Sequence, residues 1–263
     1  MEEKLAISKG RKKRLTMARS FLDVIPKTNV SVAIIDSGVN LRHPHVGAVA
    51  GGVAFSLDDR GKLQQSDDYI DRRGHGTALA GIVRAKAPQV NLYAVKIFHD
   101  PQTPNDPLTT SINALEAGLC WAIDHRIQVI NLSLGVTNPA HRARLQALVS
   151  QAHTSGLFVV ASAPPGDTTT LPAILPGVIA VAGEENCAWN KYRYVHGDSV
   201  PFRAHAYARP IPNLPQERNF HGHSCASAHV AALLALLLER KADVAPDDAR
   251  DTLRRTILLN SAR

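Results

Sequence analysis

The chain has 263 residues, 44% of them hydrophobic, enough apolar material for the full core of one domain. No apolar run reaches the roughly 20 residues that cross a membrane, and Met1-Glu2-Glu3-Lys4 leads into Lys9, Arg11, Lys12, Lys13 and Arg14 where a signal peptide would be apolar. The net charge of +7 is partly gathered there, in what reads as a flexible basic extension over residues 1–29, or as a tail that meets an acidic partner peptide or covers a cleft. The run has no interleaved aromatics, so no nucleic-acid partner is indicated. Cys120, Cys187 and Cys225 are odd in number and lack metal-ligand spacing, which points to a reducing interior and a cytoplasmic location.

Residues 31–36 open the folded part. Val32, Ala33, Ile34 and Ile35 run together, as in a parallel strand covered on both faces. The run ends at Asp36, at the C-terminal edge of the strand, where sites in open α/β sheets lie. Residues 56–73 hold Asp58, Asp59, Asp67, Asp68 and Asp71 and read as a polar loop; calcium could bind here, but no EF-hand spacing supports it. His75 opens a helix with a small-residue surface of Gly76, Ala78, Ala80 and Gly81. Residues 90–98 read as the next strand, and Pro101, Pro104 and Pro107 mark a loop. Thr109 or Thr110 is expected to cap a helix running through His125, ahead of a strand over 129–134. A helix over 141–155 and a strand over 157–161 follow, then a helix over 226–238 that is apolar nearly all round and therefore central. The last helix, 246–259, turns Leu253, Ile257 and Leu258 inward. This alternation predicts an α/β fold: a doubly wound, mostly parallel sheet with helices on both faces, three layers in all, with 30–263 as one domain.

Three segments carry the chemistry: Ile34-Ile35-Asp36-Ser37-Gly38, Gly74-His75-Gly76-Thr77, and Gly222-His223-Ser224-Cys225-Ala226-Ser227. They supply a carboxylate, an imidazole and a hydroxyl. An imidazole can take the proton of a serine hydroxyl while a carboxylate orients the ring and stabilises its cation. Ser224 precedes the central helix, so its own backbone N–H and the helix dipole face a developing oxyanion. Cys225 reads as a small core residue rather than a nucleophile. His43, His45, His221, His223 and His229 lack a helical pair of ligands with a third, so no metal is assigned.

The chain resembles the subtilisin-like serine proteases, the subtilases. Asp36-Ser37-Gly38 with His43-Pro44, the run GHGTALAG from Gly74 to Gly81, and GHSCASAHVAA from Gly222 are similar to family blocks, in the family order Asp, His, Ser. Val129 to Gly135 resembles the strand that lines the substrate cleft, and Val178 to Val181 the strand after the oxyanion segment. The resemblance covers about residues 30–240. It implies Asp36, His75 and Ser224 as catalytic residues, no cofactor, and Ser133, Leu134 and Gly135 as the edge that pairs with substrate. It accounts for His229 as well.

The family pattern breaks in three places; one of them, Cys225, Ala228 and Ala232 for the usual Met, Pro and Gly around the nucleophile, changes packing only, and the other two touch the site. An asparagine that usually donates to the oxyanion falls on Pro165, which has no N–H and no side-chain donor. Ser162, Thr168, a protonated Asp167 or His223 are the substitutes at hand. The second substrate edge would come from 101–108, where three prolines cannot donate ladder bonds. The resulting expectation is an intracellular endopeptidase acting on a specific peptide or precursor, with no nucleic-acid or membrane partner. Two rivals stand beside it: a catalytically impaired peptide-binding module, and an acyl-transfer ligase or cyclase.

Overall fold

The structure, a computed structural model, describes residues 29–101, 103, 106–241 and 244–260. Apart from Asn29 the basic extension lies outside these, as do the side chains of Ile257 and Leu258. Nine strands form one sheet: β1 (Ser31–Asp36), β2 (Gly51–Leu57), β3 (Leu63–Ser66), β4 (Asn91–Lys96), β5 (Val129–Leu132), β6 (Phe158–Ser162), β7 (Val178–Glu184), β8 (Tyr192–Tyr194) and β9 (Phe202–His205), in the order β3-β2-β4-β1-β5-β6-β7-β9-β8. All adjacent pairs are parallel except the two at the edges, β2 with β3 and β9 with β8.

Among the described residues five α-helices cover the sheet: α1 (His75–Lys86), α2 (Ile112–Asp124), α3 (Arg142–Thr154), α4 (His223–Arg240) and α5 (Pro246–Asn260). Successive strand residues point to opposite faces, and β1 shows the consequence. Val32 and Ile34 pack with Leu79 of α1, Leu234 of α4 and Leu253 of α5. Ala33 and Ile35 pack with Leu115 and Leu119 of α2 and Leu145 of α3. The three-layer, doubly wound α/β architecture is therefore present, with a hydrophobic core on each side of one sheet. No helix among the described residues is long and apolar enough to cross a membrane.

The chain lays β4 on one side of β1 and then crosses to lay β5 on the other. This reversal makes the C-terminal end of β1 the switch point of the sheet, and Asp36 sits there. α4 reaches the sheet closely because its buried positions include Ala226, Ala228, Ala231, Ala232 and Ala235.

Several boundaries differ from the sequence reading. The polar stretch 56–73 is not all loop: β2 and β3 form a hairpin across Asp58, whose carboxylate accepts from Arg60 N and Lys62 N. Neither Thr109 nor Thr110 caps α2. Ser111 does, accepting from Ala114 N, while Thr110 Oγ1 donates to Ile97 O. The strand over 90–98 is shorter, Asn91–Lys96, and α4 begins at His223, before Ser224.

Candidate active site

Asp36 is fully buried at the end of β1. Its Oδ1 accepts from Ser37 N and pairs with His75 Nδ1, each at 2.7 Å. His75 opens α1, and the close approach of α1 to the turn after β1 requires glycine next to it. A Cβ on Gly76 would lie 2.2 Å from Gly38 O. A second carboxylate organises this corner. Asp71 Oδ1 accepts from Ser37 Oγ, Arg73 N and Gly74 N, and Oδ2 accepts from Thr77 N and Thr77 Oγ1. Burial works against a charged His75. Asp36, by charge and hydrogen bond, and Asp71, by charge, outweigh it and raise the imidazole above its ordinary value.

Ser224 lies in the first turn of α4, where backbone N–H groups have no partner inside the helix. Its Oγ donates to Ser133 O at 3.0 Å, and no hydrogen bond among the described residues joins it to His75 Nε2. Such bonds are often long or unformed until substrate binds. A hydroxyl network fixes the base of the site: Asn131 Nδ2 donates to Ser133 Oγ, which meets Ser227 Oγ, and Ser227 Oγ donates to Ser224 O. Leu134 and Gly135 continue from there. Gly135 is exposed, and a Cβ on it would fall 2.1 Å from Thr170 Cγ2. Opposite, Arg73 donates to His99 O and Asp106 O, and the described part of 101–110 contains no strand.

The segment after β6 turns sharply. Asp167 N donates to Pro164 O at 3.3 Å and Gly166 has φ of +70°, which fits a turn with proline second and glycine third. The backbone donors of this turn are committed elsewhere, because Gly166 N goes to Asp198 Oδ1. Asp167 does not serve as a protonated donor. Partial burial would raise it, but hydrogen bonds from Thr170 Oγ1, Thr169 N and Thr169 Oγ1 outweigh that and hold its carboxyl at about 2. Ser162 ends β6, buried, and its hydroxyl bonds to no described residue. His223 Nδ1 accepts from Gly183 N at 3.0 Å, and burial, then Arg203, lower its imidazole, which leaves Nε2–H as a neutral donor.

The remaining candidates separate cleanly. Cys225 is buried with its thiol pushed up to about 12 by burial and then by the Asp36 charge, so it is no thiolate. Cys120, Cys187 and Cys225 are free thiols. His229 is buried with its imidazole lowered to about 3, chiefly by burial, and bonds to Tyr207 O. No three His, Cys, Asp or Glu side chains are gathered as metal ligands among the described residues. Two contributors went unread in the sequence: Asp71 as the organiser of the His75 turn, and Phe220, whose ring meets His75 edge-on at 5.8 Å. The first had a signal, three residues ahead of a glycine that starts a helix; the second had none.

A family model described as Subtilase family matches residues 27–262. Subtilisin from Bacillus pumilus is 32% identical over 247 residues, covering 87% of this chain and 84% of its own length. Subtilisin E from Bacillus subtilis (strain 168) is 31% identical over 246 residues, again 87% of this chain; the chain spans 60% of that protein's length. Among solved structures, the nisin leader peptidase NisP from Lactococcus lactis shares the fold with a TM-score of 0.63 at 17% identity, over 86% of this chain and 82% of that one.

Proposed function

The chain belongs to the subtilase family, and on that premise we propose that it is a serine endopeptidase that processes a specific peptide or precursor protein in the cytoplasm. Ser224 attacks the scissile carbonyl, His75 takes the hydroxyl proton and returns it to the departing amine, and Asp36 holds the ring and its cation. The observation that carries this reading is the buried 2.7 Å pair between Asp36 Oδ1 and His75 Nδ1, at the sheet's switch point, with Ser224 in the first turn of α4, the helix that packs against α1. One oxyanion donor is the Ser224 backbone N–H; the Nε2–H of His223 and the hydroxyls of Ser162 and Thr168 are the candidates for a second. The exposed Gly135 backbone offers one edge to an extended substrate. Free cysteines support a reducing compartment. The fold likeness to a leader peptidase is in keeping with processing of a precursor.

The donor-free turn at Pro165 favours a second reading in which turnover is weak and peptide binding is the main activity. A fluorophosphonate probe separates the two: covalent labelling of Ser224 supports the enzyme, and no labelling supports the binding module. The mass of the product formed in the presence of a peptide amine then separates hydrolysis from acyl transfer.

A further inference from the structure

A cleft of about 250 Å³ adjoins the turn that carries His75. Its walls include Gly74 and Thr77 of the His75 turn, Phe220, His43, His45 and Arg209, and none comes from 133–135 or from the 162–168 turn. The acyl half of a substrate pairs with the Gly135 edge, and His75 hands its proton to the departing amine. A cleft that adjoins the His75 turn and shares no wall with that edge is placed to receive the leaving half.

The chemistry of this cleft is cationic. Arg209 is half-buried, and its guanidinium has no hydrogen-bond or ion-pair partner among the described residues. It is held by its backbone instead: Asn219 Nδ2 donates to Arg209 O, and Asn219 Oδ1 accepts from Phe220 N, so one buried amide sets both walls. His43 Nδ1 accepts from His45 N, which turns the Nε2 of His43 into a donor, and the two rings meet edge-on at 4.9 Å. Gly81 of α1 makes room for His45, since a Cβ there would lie 3.1 Å from His45 Cβ. Burial, and after it the charges of Arg209 and His43, lower the His45 imidazole. Asp71 also lines the cleft, but its oxygens already accept five hydrogen bonds, and Arg72 is paired with Asp68 and Asp100. What stays unmatched is one guanidinium and the imidazole donors.

We propose that this cleft binds a carboxylate of the substrate's leaving half, an Asp or Glu side chain within the first three residues after the cut, with Arg209 as its anchor. The inference rests on the peptidase reading, and it names a specificity that the family blocks do not carry. A planar guanidinium pairs with a carboxylate through two parallel N–H···O bonds, and a charge-assisted pair of this kind in a half-buried site gives a preference of about tenfold.

The test reads the residues after the cut directly. A tryptic digest of whole-cell protein is offered to the wild-type chain, and new N-termini are sequenced by mass spectrometry. The expected result is about tenfold enrichment of Asp and Glu over Asn and Gln in the first three positions, lost in Arg209→Gln and partly kept in Arg209→Lys. Equal frequencies, or enrichment unchanged in Arg209→Gln, overturn the proposal. Unfolding temperatures matched to wild type exclude loss of fold. If nothing is cleaved and no fluorophosphonate label appears, the peptidase reading fails by itself. The cleft is then judged on Ser224→Ala by fluorescence anisotropy with two labelled hexapeptides, one alternating alanine with aspartate and the other alanine with asparagine. Tighter binding of the acidic peptide that disappears with Arg209→Gln upholds the anchor, and equal binding overturns it.

Discussion

His75 is pulled two ways: burial disfavours its cation, and the carboxylates of Asp36 and Asp71 favour it more. Only the neutral ring can take the Ser224 proton, so stabilising the cation moves activity to higher pH. The acid limb of kcat/KM is expected to have its midpoint above the ordinary 6.5, and a midpoint at or below that value would contradict the assignment. Asp36→Asn removes the main stabilising charge, so it should lower that midpoint and reduce kcat by about 10⁴-fold. Pro165 acts on the same reaction from the other side of the carbonyl. A missing oxyanion donor costs about 2.7–4 kcal/mol of transition-state stabilisation. Pro165→Asn fits the second position of its turn and is expected to raise kcat with little change in KM, since the new donor acts in the transition state. If wild type, Pro165→Asn and Ser224→Ala give equal rates on one peptide, the binding-module reading replaces the enzyme. If wild type is already fast, Ser162→Ala and His223→Ala show which side chain fills the hole.

At the level of elements, the α2 cap is a local contributor that the site does not use. Ser111→Ala removes the acceptor for Ala114 N and should cost about 1 kcal/mol in urea unfolding. The kcat should not change, because α2 packs on the face of the sheet opposite α1 and α4; a large fall in kcat would argue against that separation. The cap also shows what a sequence can reveal. Three consecutive hydroxyl residues, Thr109, Thr110 and Ser111, all suit a cap, and only the tertiary bond from Thr110 Oγ1 to Ile97 O decides among them. Strands β1 and β6 were legible because they are buried on both faces and open as apolar runs, while β5, interrupted by Asn131, and β7 were legible through their likeness to family strands. The edge strands were not: β3 is Leu-Gln-Gln-Ser, wholly exposed, and β8 has three residues, so neither offers a periodic apolar signal. In the candidate site, the Asp36–His75 pair was legible because each residue sits in a short motif at the end of an element, as Ser224 does. Arg209 and Phe220 lie in a stretch with no motif, and only the fold brings Phe220 to His75 and Arg209 to the cleft walled by Gly74 and Thr77.

The described residues form one sheet with a core on either face, and both cores share the same strand backbones. Ile34 faces one core and Ile35 the other, one residue apart on β1, and Val160 and Val159 do the same on β6. Melting either face therefore frees strands that the other needs, and the two should unfold together. The chain holds two tryptophans, and each packs on a different core: Trp189 on the α1–α4 side and Trp121 on the α2–α3 side. Trp189→Phe leaves a reporter on the second face alone, and Trp121→Phe leaves one on the first. Each substitution shifts its own stability, since Trp189 sits under the Lys86 ammonium and Trp121 stacks on His125, so midpoints are compared within a variant and not between them. In each variant, the urea transition followed by tryptophan fluorescence should coincide with that followed by far-ultraviolet circular dichroism. A fluorescence transition that precedes the circular dichroism in Trp121→Phe alone would show the face carrying α1 and α4 opening first. His75 and Ser224 would then lose their mutual geometry before the sheet itself melts, and activity in urea would fall with the early transition.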